Sequence, residues 1–162
     1  METEQFFAFL GEYVVIFQWI ESQLDQIILT AGGNQNWEKT QYRIAKMTNE
    51  EKTDEAAAIL LAPEVLSHMQ LLPGWEDKVR EIVAELGEER RRRNKFVHSQ
   101  YLFEFMELGM PPLRSHRSRT AGEIHFDREY LGAGEVDAIL GKMASLAFKI
   151  SQAKIQLIHS LK

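Results

Sequence analysis

The most constraining feature of the sequence is a long segment near the N-terminus in which apolar residues recur at alternating steps of four and three. The positions are Phe6, Leu10, Tyr13, Phe17, Ile20, Leu24 and Ile27. This spacing predicts one helix from about Thr3 to Ala31 that is packed along its whole length. A second apolar set widens the face and comprises Phe7, Val14, Val15, Ile16 and Ile28. So wide a face indicates burial on two sides, as at a bundle centre or a dimer interface, and we expect a homodimer.

The rest of the chain is predicted to be mainly helical. Weaker helical patterns precede Leu72, a strong one runs from Trp75 to His98, and a last one runs from about Gly134 to Leu161. No linker or internal repeat divides residues 1–162, so one domain is expected. The prediction is an all-α fold: an antiparallel four- or five-helix bundle with a small β-hairpin or loop insertion before the last helix.

The insertion follows His98, where the sequence period changes. Tyr101–Phe105 is rich in aromatic residues and is typical of a strand. Leu113–Arg119 and Glu123–Asp127 are candidate returning strands after a turn that contains two prolines.

Composition narrows the classes of function. Lys and Arg number 19 against 24 Asp and Glu, a formal net charge of −5, so nucleic-acid contacts must come from a local patch. The absence of cysteine excludes disulfides, thiolate zinc sites and a cysteine nucleophile. No apolar run approaches the roughly 20 residues of a membrane span, and the first residues are acidic where a signal peptide is basic. We expect a cytoplasmic protein with no membrane partner.

The pattern of the helix from Trp75 to His98 changes in its second half. Its inward face is first apolar, with Val79, Ile82, Val83 and Leu86. At 100° per residue, the same face then meets Arg90, Arg93 and Asn94 before it returns to Val97. Arginine is rarely buried without a partner, so this face must meet a carboxylate, a wet cleft or an anionic ligand.

An arginine, an amide and an imidazole at one helix end suit phosphate chemistry. Arg93 can hold phosphate oxygens in a fork, Asn94 can orient them, and His98 titrates near neutrality. The plainer alternative is a solvated face in which basic residues complement the negative end of the helix.

The string from Arg93 through Asn94 to His98, late in a long helix of a small bundle, resembles the signature of the HEPN superfamily: an arginine, a polar residue such as asparagine and, shortly after, a histidine. Many members are metal-independent endoribonucleases, often toxins or abortive-infection proteins, that work as dimers with facing motifs. The resemblance implies that Arg93 holds the scissile phosphate, that Asn94 supports it and that His98 is general base or acid. It also implies RNA as substrate and no metal or cofactor.

The basic footprint open to RNA is Arg90 to Lys95, with Arg114, Arg117 and Arg119 on the insertion. We expect RNA contacts from Arg90, Arg91, Lys95 and Tyr101. One subgroup pairs with a nucleotidyltransferase antitoxin that modifies a tyrosine two residues after the histidine. Here that position is Gln100 and the tyrosine is one later, which leaves an antitoxin or another protein partner open.

Other functions stay open. The same residues suit a non-catalytic helical module that binds RNA, a nucleotide or a protein. Metal chemistry is disfavoured, because no Glu-x-x-His pair occurs, and His116 with His125 across a hairpin would supply only two ligands. Glu21 and Asp25 share a helix face, and we expect that one of them pairs with Arg90 or Arg93 or that both are solvated.

Overall fold

The computed structural model of the protein describes residues 3–68, 73–120 and 122–161. These residues are mostly helical, as predicted, with one three-stranded antiparallel sheet. The elements in chain order are α1 (Thr3–Gly32), a short 3₁₀ helix (Asn34–Asn36), α2 (Trp37–Ile44), α3 (Asn49–Leu60), α4 (Pro63–His68), α5 (Trp75–Val97), β1 (Gln100–Leu102), α6 (Glu104–Glu107), β2 (Leu113–Thr120), β3 (Glu123–Tyr130) and α7 (Ala133–Ser160).

The α1 prediction is confirmed in its bounds and in its buried face. Six of the seven stripe positions are buried, and Leu10 is partly buried against the same core. The opposite side of α1 leaves Phe7, Val14 and Val15 exposed, whereas Ile28 is buried beside α2 and α3. Within one chain, α1 therefore packs on more than one neighbour and still carries apolar side chains on its outer side.

The bundle differs from a simple antiparallel arrangement. Asn49 of α3 bonds to Glu21 of α1, and Lys52 pairs with Asp25, so α1 and α3 run in the same direction. They do so because the chain returns alongside α1 through α2 before α3 begins. Lys149 of α7 pairs with Glu85 of α5, and Gln152 and Gln156 line one cavity with Trp75 and Lys78, so α7 runs antiparallel to α5. The mainly helical prediction is confirmed, but the seven α-helices and the sheet in the described residues are not clearly a four- or five-helix bundle.

The insertion is a longer and more regular sheet than expected. Strands β2 and β3 pair over their whole length, from Leu113 opposite Tyr130 to Thr120 opposite Glu123. Gly122 lies in the connection with φ of 88°, a conformation that glycine adopts without strain.

The strand predicted over Tyr101–Phe105 is wrong in its second half, where α6 begins at Glu104. Leu102 opposite Leu113 is the last pair of β1 with β2, and the residue before Leu113 is Pro112, which has no N–H to extend the ladder. The rings of Tyr101 and Phe103 instead pack on Phe6, with centroids 5.2 and 5.7 Å away. These contacts attach the start of the insertion to α1.

The packing of α1 yields a stability prediction. Leu24 is 2% exposed in the core, so Leu24→Ala removes buried apolar contacts and should lower the free energy of unfolding by about 2–5 kcal/mol. The matched control, Leu108→Ala, changes a leucine that is 73% exposed and should cost less than about 0.5 kcal/mol. Urea unfolding followed by circular dichroism measures both. Equal losses in the two variants would contradict this packing of α1.

Candidate functional site

The buried stripe of α5 follows a different line from the one the sequence predicts. The residues that face the core are Trp75, Val79, Ile82, Leu86, Glu89 and Phe96. Because a straight helix drifts by about 20° per seven residues, the buried face moves away from a line drawn through Val79. Asn94 is exposed and Val97 is 50% exposed, so the prediction that they face inward is wrong. Arg90 and Arg93 lie at the edge of the buried face and are partly buried.

The polar residue that does enter the core is Glu89, which is 5% exposed. The Tyr13 hydroxyl donates to the Glu89 carbonyl at 3.3 Å and lies 3.4 Å from its carboxylate. Arg92 pairs with the other oxygen of the same carboxylate. A buried carboxylate needs such partners, since an unpaired charge in the core is costly. This network fixes the rotation of α5 at the start of its basic segment.

An open polar cavity of about 540 Å³ lies between α1, the start of α3 and the basic half of α5. We call it the polar cavity; its lining residues are Phe17, Glu21, Thr48, Asn49, Glu50, Arg90, Arg91, Arg93 and Asn94. Three of the predicted basic residues and the predicted amide therefore meet at one concavity.

Arg93 is held in the polar cavity by uncharged groups. Its guanidinium donates to the Asn94 side-chain oxygen at 3.3 Å and lies 5.8 Å from the centre of the Phe17 ring. Among the described carboxylates, none forms an ion pair with Arg93. A partly buried guanidinium without a counter-charge is suited to an anionic ligand.

The expected pairing of Glu21 or Asp25 with the motif arginines is not observed. Asp25 pairs with Lys52 at 2.8 Å, and Glu21 accepts from the Asn49 amide at 3.0 Å. Arg90 pairs instead with Glu50 of α3 at 2.9 Å. Glu21 does line the polar cavity together with Arg90 and Arg93, but its carboxylate accepts from Asn49 at the N-terminus of α3 instead of pairing with either arginine.

His98 lies at the C-terminal end of α5, outside the residues that line the polar cavity. Its backbone N–H donates to the Asn94 carbonyl at 3.1 Å, so the two residues are one helical turn apart and share a face. The imidazole is exposed. The chain thus brings Arg93, Asn94 and His98 along one surface, and only the first two line the polar cavity.

Lys95 and Arg114 belong to the junction between α5 and the hairpin. Lys95 donates to Asp127 of β3 at 3.0 Å. Arg114 is 2% exposed, pairs with Glu129 and lies 5.9 Å from the Phe96 ring. The hydrogen bond from Lys95, more than Arg114, lowers the pKa of the Asp127 carboxyl. Arg114 therefore contributes to the structure rather than to an exposed basic footprint.

Tyr101, predicted to contact RNA, is partly buried in the insertion. Its hydroxyl donates to the Phe96 carbonyl at 2.8 Å, and its ring stacks on Phe103. Burial raises the pKa of Tyr101 to about 12. Its hydroxyl thus caps the end of α5 and supports the segment that carries His98.

Sequence reasoning missed the buried position of Glu89, its contact with Tyr13 and the core position of Arg114. Glu89 had a signal, because it lies seven residues from both Ile82 and Phe96 on one helix face. Arg114 alternates with Leu113 along β2, but only the strand pairing shows that Glu129 lies opposite it.

Comparison of the chain with models of known protein families, with curated proteins and with solved structures finds no match. Among the described side chains, no three His, Asp or Glu residues come together as a possible metal site. In the same part of the chain, no helix combines the length and apolar character that crossing a bilayer requires.

The Tyr13–Glu89 contact yields a prediction of pH dependence. Burial, then the Glu89 carboxylate, raises the pKa of Tyr13 well above its usual value of about 10. Below pH 10, Tyr13 is protonated in both the folded and the unfolded protein, so its contribution to the free energy of unfolding is fully present. Above pH 10 the tyrosine of the unfolded chain ionises first, so the free energy of unfolding should fall by up to about 1.4 kcal/mol per pH unit for this group.

Urea unfolding between pH 9 and pH 11.5 measures that slope. Tyr13→Phe should make the slope shallower by up to about 1.4 kcal/mol per pH unit, the contribution of one titrating group. Tyr101→Phe should have a similar effect, since the pKa of Tyr101 is about 12. An unchanged slope in Tyr13→Phe would show that its hydroxyl is accessible in the folded protein.

Proposed function

We propose that the protein is a metal-independent endoribonuclease that cleaves RNA through a 2′,3′-cyclic phosphate, as its resemblance to the HEPN superfamily implies. In this proposal Arg93 holds the scissile phosphate, Asn94 orients it, and His98 takes the proton from the ribose 2′-hydroxyl or gives one to the leaving oxygen. The substrate is RNA because DNA lacks the attacking hydroxyl. We place this activity in the cytoplasm, with a toxin or antiviral role and a possible antitoxin partner.

The observation that carries the proposal is the state of Arg93. It is partly buried in a polar cavity and in contact with Asn94, and it forms no ion pair with a described carboxylate, although Glu21 and Glu50 line the same cavity. Arg91 lines the same cavity and is exposed, also without an ion pair to the described acids. Charge stabilisation of a phosphodiester needs such preorganised donors. An arginine of a merely solvated face would be more exposed and would have no place in a concavity.

The exposed position of His98 supports a dimeric site. A general base must come within hydrogen-bond reach of the hydroxyl it deprotonates, and His98 does not line its own polar cavity. In a homodimer with facing motifs, the second His98 and the two polar cavities would form one cleft.

The outer side of α1 supplies an apolar surface for such a dimer. Phe7, Val14, Val15 and Trp19 are between 40% and 65% exposed along it. Val97, 50% exposed on α5, adds an apolar side chain directly before His98. Exposed apolar groups of this size mark interaction surfaces when they are contiguous.

A cleavage assay tests the function. In EDTA, wild-type protein should cut total RNA and leave 2′,3′-cyclic phosphate ends, which RNA end-specific ligation detects. His98→Ala should slow cleavage by about 10²–10⁴-fold and keep RNA binding, because it removes proton transfer alone. Arg93→Ala should slow it by about 10²–10³-fold through lost charge stabilisation.

The matched control is His159→Ala, which removes an exposed histidine of α7 and should leave cleavage unchanged. If wild type binds RNA without cleaving it, and Arg93→Ala weakens that binding, the alternative of a non-catalytic RNA-binding module is correct. If Arg93→Ala changes neither cleavage nor RNA binding, the proposed phosphate site at Arg93 is refuted.

Dimerisation gives a separate prediction. Val15→Glu places a charge among the exposed apolar residues of α1 and should convert a dimer to a monomer with greatly reduced cleavage. Leu108→Glu, at an equally exposed leucine of the insertion, should leave the dimer intact. Sedimentation velocity at micromolar concentration measures both. A wild-type protein that is monomeric and still cleaves RNA would refute the shared cleft.

A further inference from the structure

The β2–β3 hairpin carries its charges on opposite faces. Successive side chains of a strand point to opposite sides, so the pairing of β2 with β3 assigns each residue to a face. One face holds the acidic residues of the hairpin with two histidines and the buried arginine: Arg114, His116, Glu123, His125, Asp127 and Glu129. The other face begins with the buried Leu113 opposite Tyr130. Its part nearer the turn, which we call the outer face, holds Arg117, Arg119, Ile124, Phe126 and Arg128.

The acidic face is directed at the body of the protein. Asp127 receives Lys95 of α5, and Glu129 pairs with the buried Arg114. Two of the three carboxylates of the hairpin thus form ion pairs on that side, and Glu123 lies exposed near the turn, 4.0 Å from His125 of the same face. On the outer face, all five residues are exposed, and its three arginines form no ion pair with the described carboxylates. A chain with net charge −5 therefore presents one face with three unpaired positive charges.

Aromatic and aliphatic side chains alternate with these arginines. Phe126 is 58% exposed and lies directly opposite Arg117, while Ile124 is 56% exposed opposite Arg119. The Arg128 guanidinium lies 6.0 Å from the centre of the Phe126 ring. A solvent-exposed aromatic ring that is flanked by guanidinium groups can stack on a base while the arginines bind phosphates.

We propose that the outer face binds single-stranded RNA, with Phe126 stacked on a base and Arg117, Arg119 and Arg128 on backbone phosphates. Arg117 and Arg119 are two residues apart on one strand, about 7 Å along it, so they reach different phosphates of an extended strand. Stacking and phosphate contacts carry little sequence information, so binding is expected to tolerate many sequences. The choice of RNA over DNA rests on the proposed function. Binding of a nucleic-acid strand by the three arginines and the Phe126 ring is independent of it.

Fluorescence anisotropy with a fluorescein-labelled oligo(U) of 12 nucleotides tests this, in EDTA and at several salt concentrations. Every protein in this assay carries His98→Ala so that the probe stays intact. Replacing Arg117, Arg119 and Arg128 together by Gln should weaken binding and reduce the magnitude of the salt slope, d log K/d log[salt], by about 2. Phe126→Leu should weaken binding by about tenfold with the salt slope unchanged.

A charge-matched control separates this face from net charge. Lys39→Gln, Arg80→Gln and Lys142→Gln change three exposed cations elsewhere and should leave the salt slope within about 0.5 of the parent protein. An equal loss in this control, or unchanged binding in the outer-face variants, would overturn the proposal. A parent protein that does not bind the probe would also overturn it. So would a dimer that becomes a monomer on Phe126→Leu, since a second copy would then cover the face.

The cleavage assay distinguishes this inference from the proposed function. Patch-dependent binding without cleavage by the wild-type protein would refute the ribonuclease and leave the binding face in place. Cleavage that depends on His98, together with RNA binding that the outer-face substitutions leave unchanged, would support the ribonuclease and refute the binding face.

Discussion

The buried carboxylate of Glu89 determines how the functional end of α5 is presented. Its contacts with Tyr13 and Arg92 hold the helix in one rotation, and Phe96 enters the aromatic cluster of α1 seven residues later. With these two residues inward, Arg90 and Arg93 must lie at the flank of the helix and not in the core. The polar cavity exists because the core takes one acidic residue of α5 and leaves the neighbouring arginines at its margin.

The location of the unpaired positive charge depends on which carboxylates already form ion pairs. Glu50, Glu89, Asp127 and Glu129 each neutralise a particular cation, namely Arg90, Arg92, Lys95 and Arg114. Among the described arginines, those that form no ion pair with a described carboxylate are Arg91 and Arg93 at the polar cavity and the three arginines of the outer face. In a protein that is acidic overall, the described arginines without an ion pair thus lie at two places, and both can bind a phosphate.

The sequence predicted the long elements well because their signal is periodic. The bounds of α1, α5 and α7 and the two long strands of the hairpin follow from apolar spacing, alternation and turn residues. The direction of α3 did not follow, since periodicity carries no information on how a short connection returns the chain. The sequence correctly placed Arg93 and Asn94 of the candidate site together, because both lie on α5 and the geometry of one helix is local. The partners of Glu21 and Arg90 depended on the N-terminus of α3, which no spacing within α5 reveals.

The two candidate RNA surfaces are connected by the junction that Arg114 builds. Its guanidinium donates to Ser99 at 3.3 Å, directly after His98, and pairs with Glu129 on the opposite strand of the hairpin. Lys95, between Arg93 and His98 in the chain, pairs with Asp127 of the same strand. Because these bonds attach the hairpin to the residues that flank His98, the outer face has a defined position relative to the end of α5. An RNA strand held by the hairpin would therefore be positioned with respect to the proposed cleavage site, as extended binding subsites require.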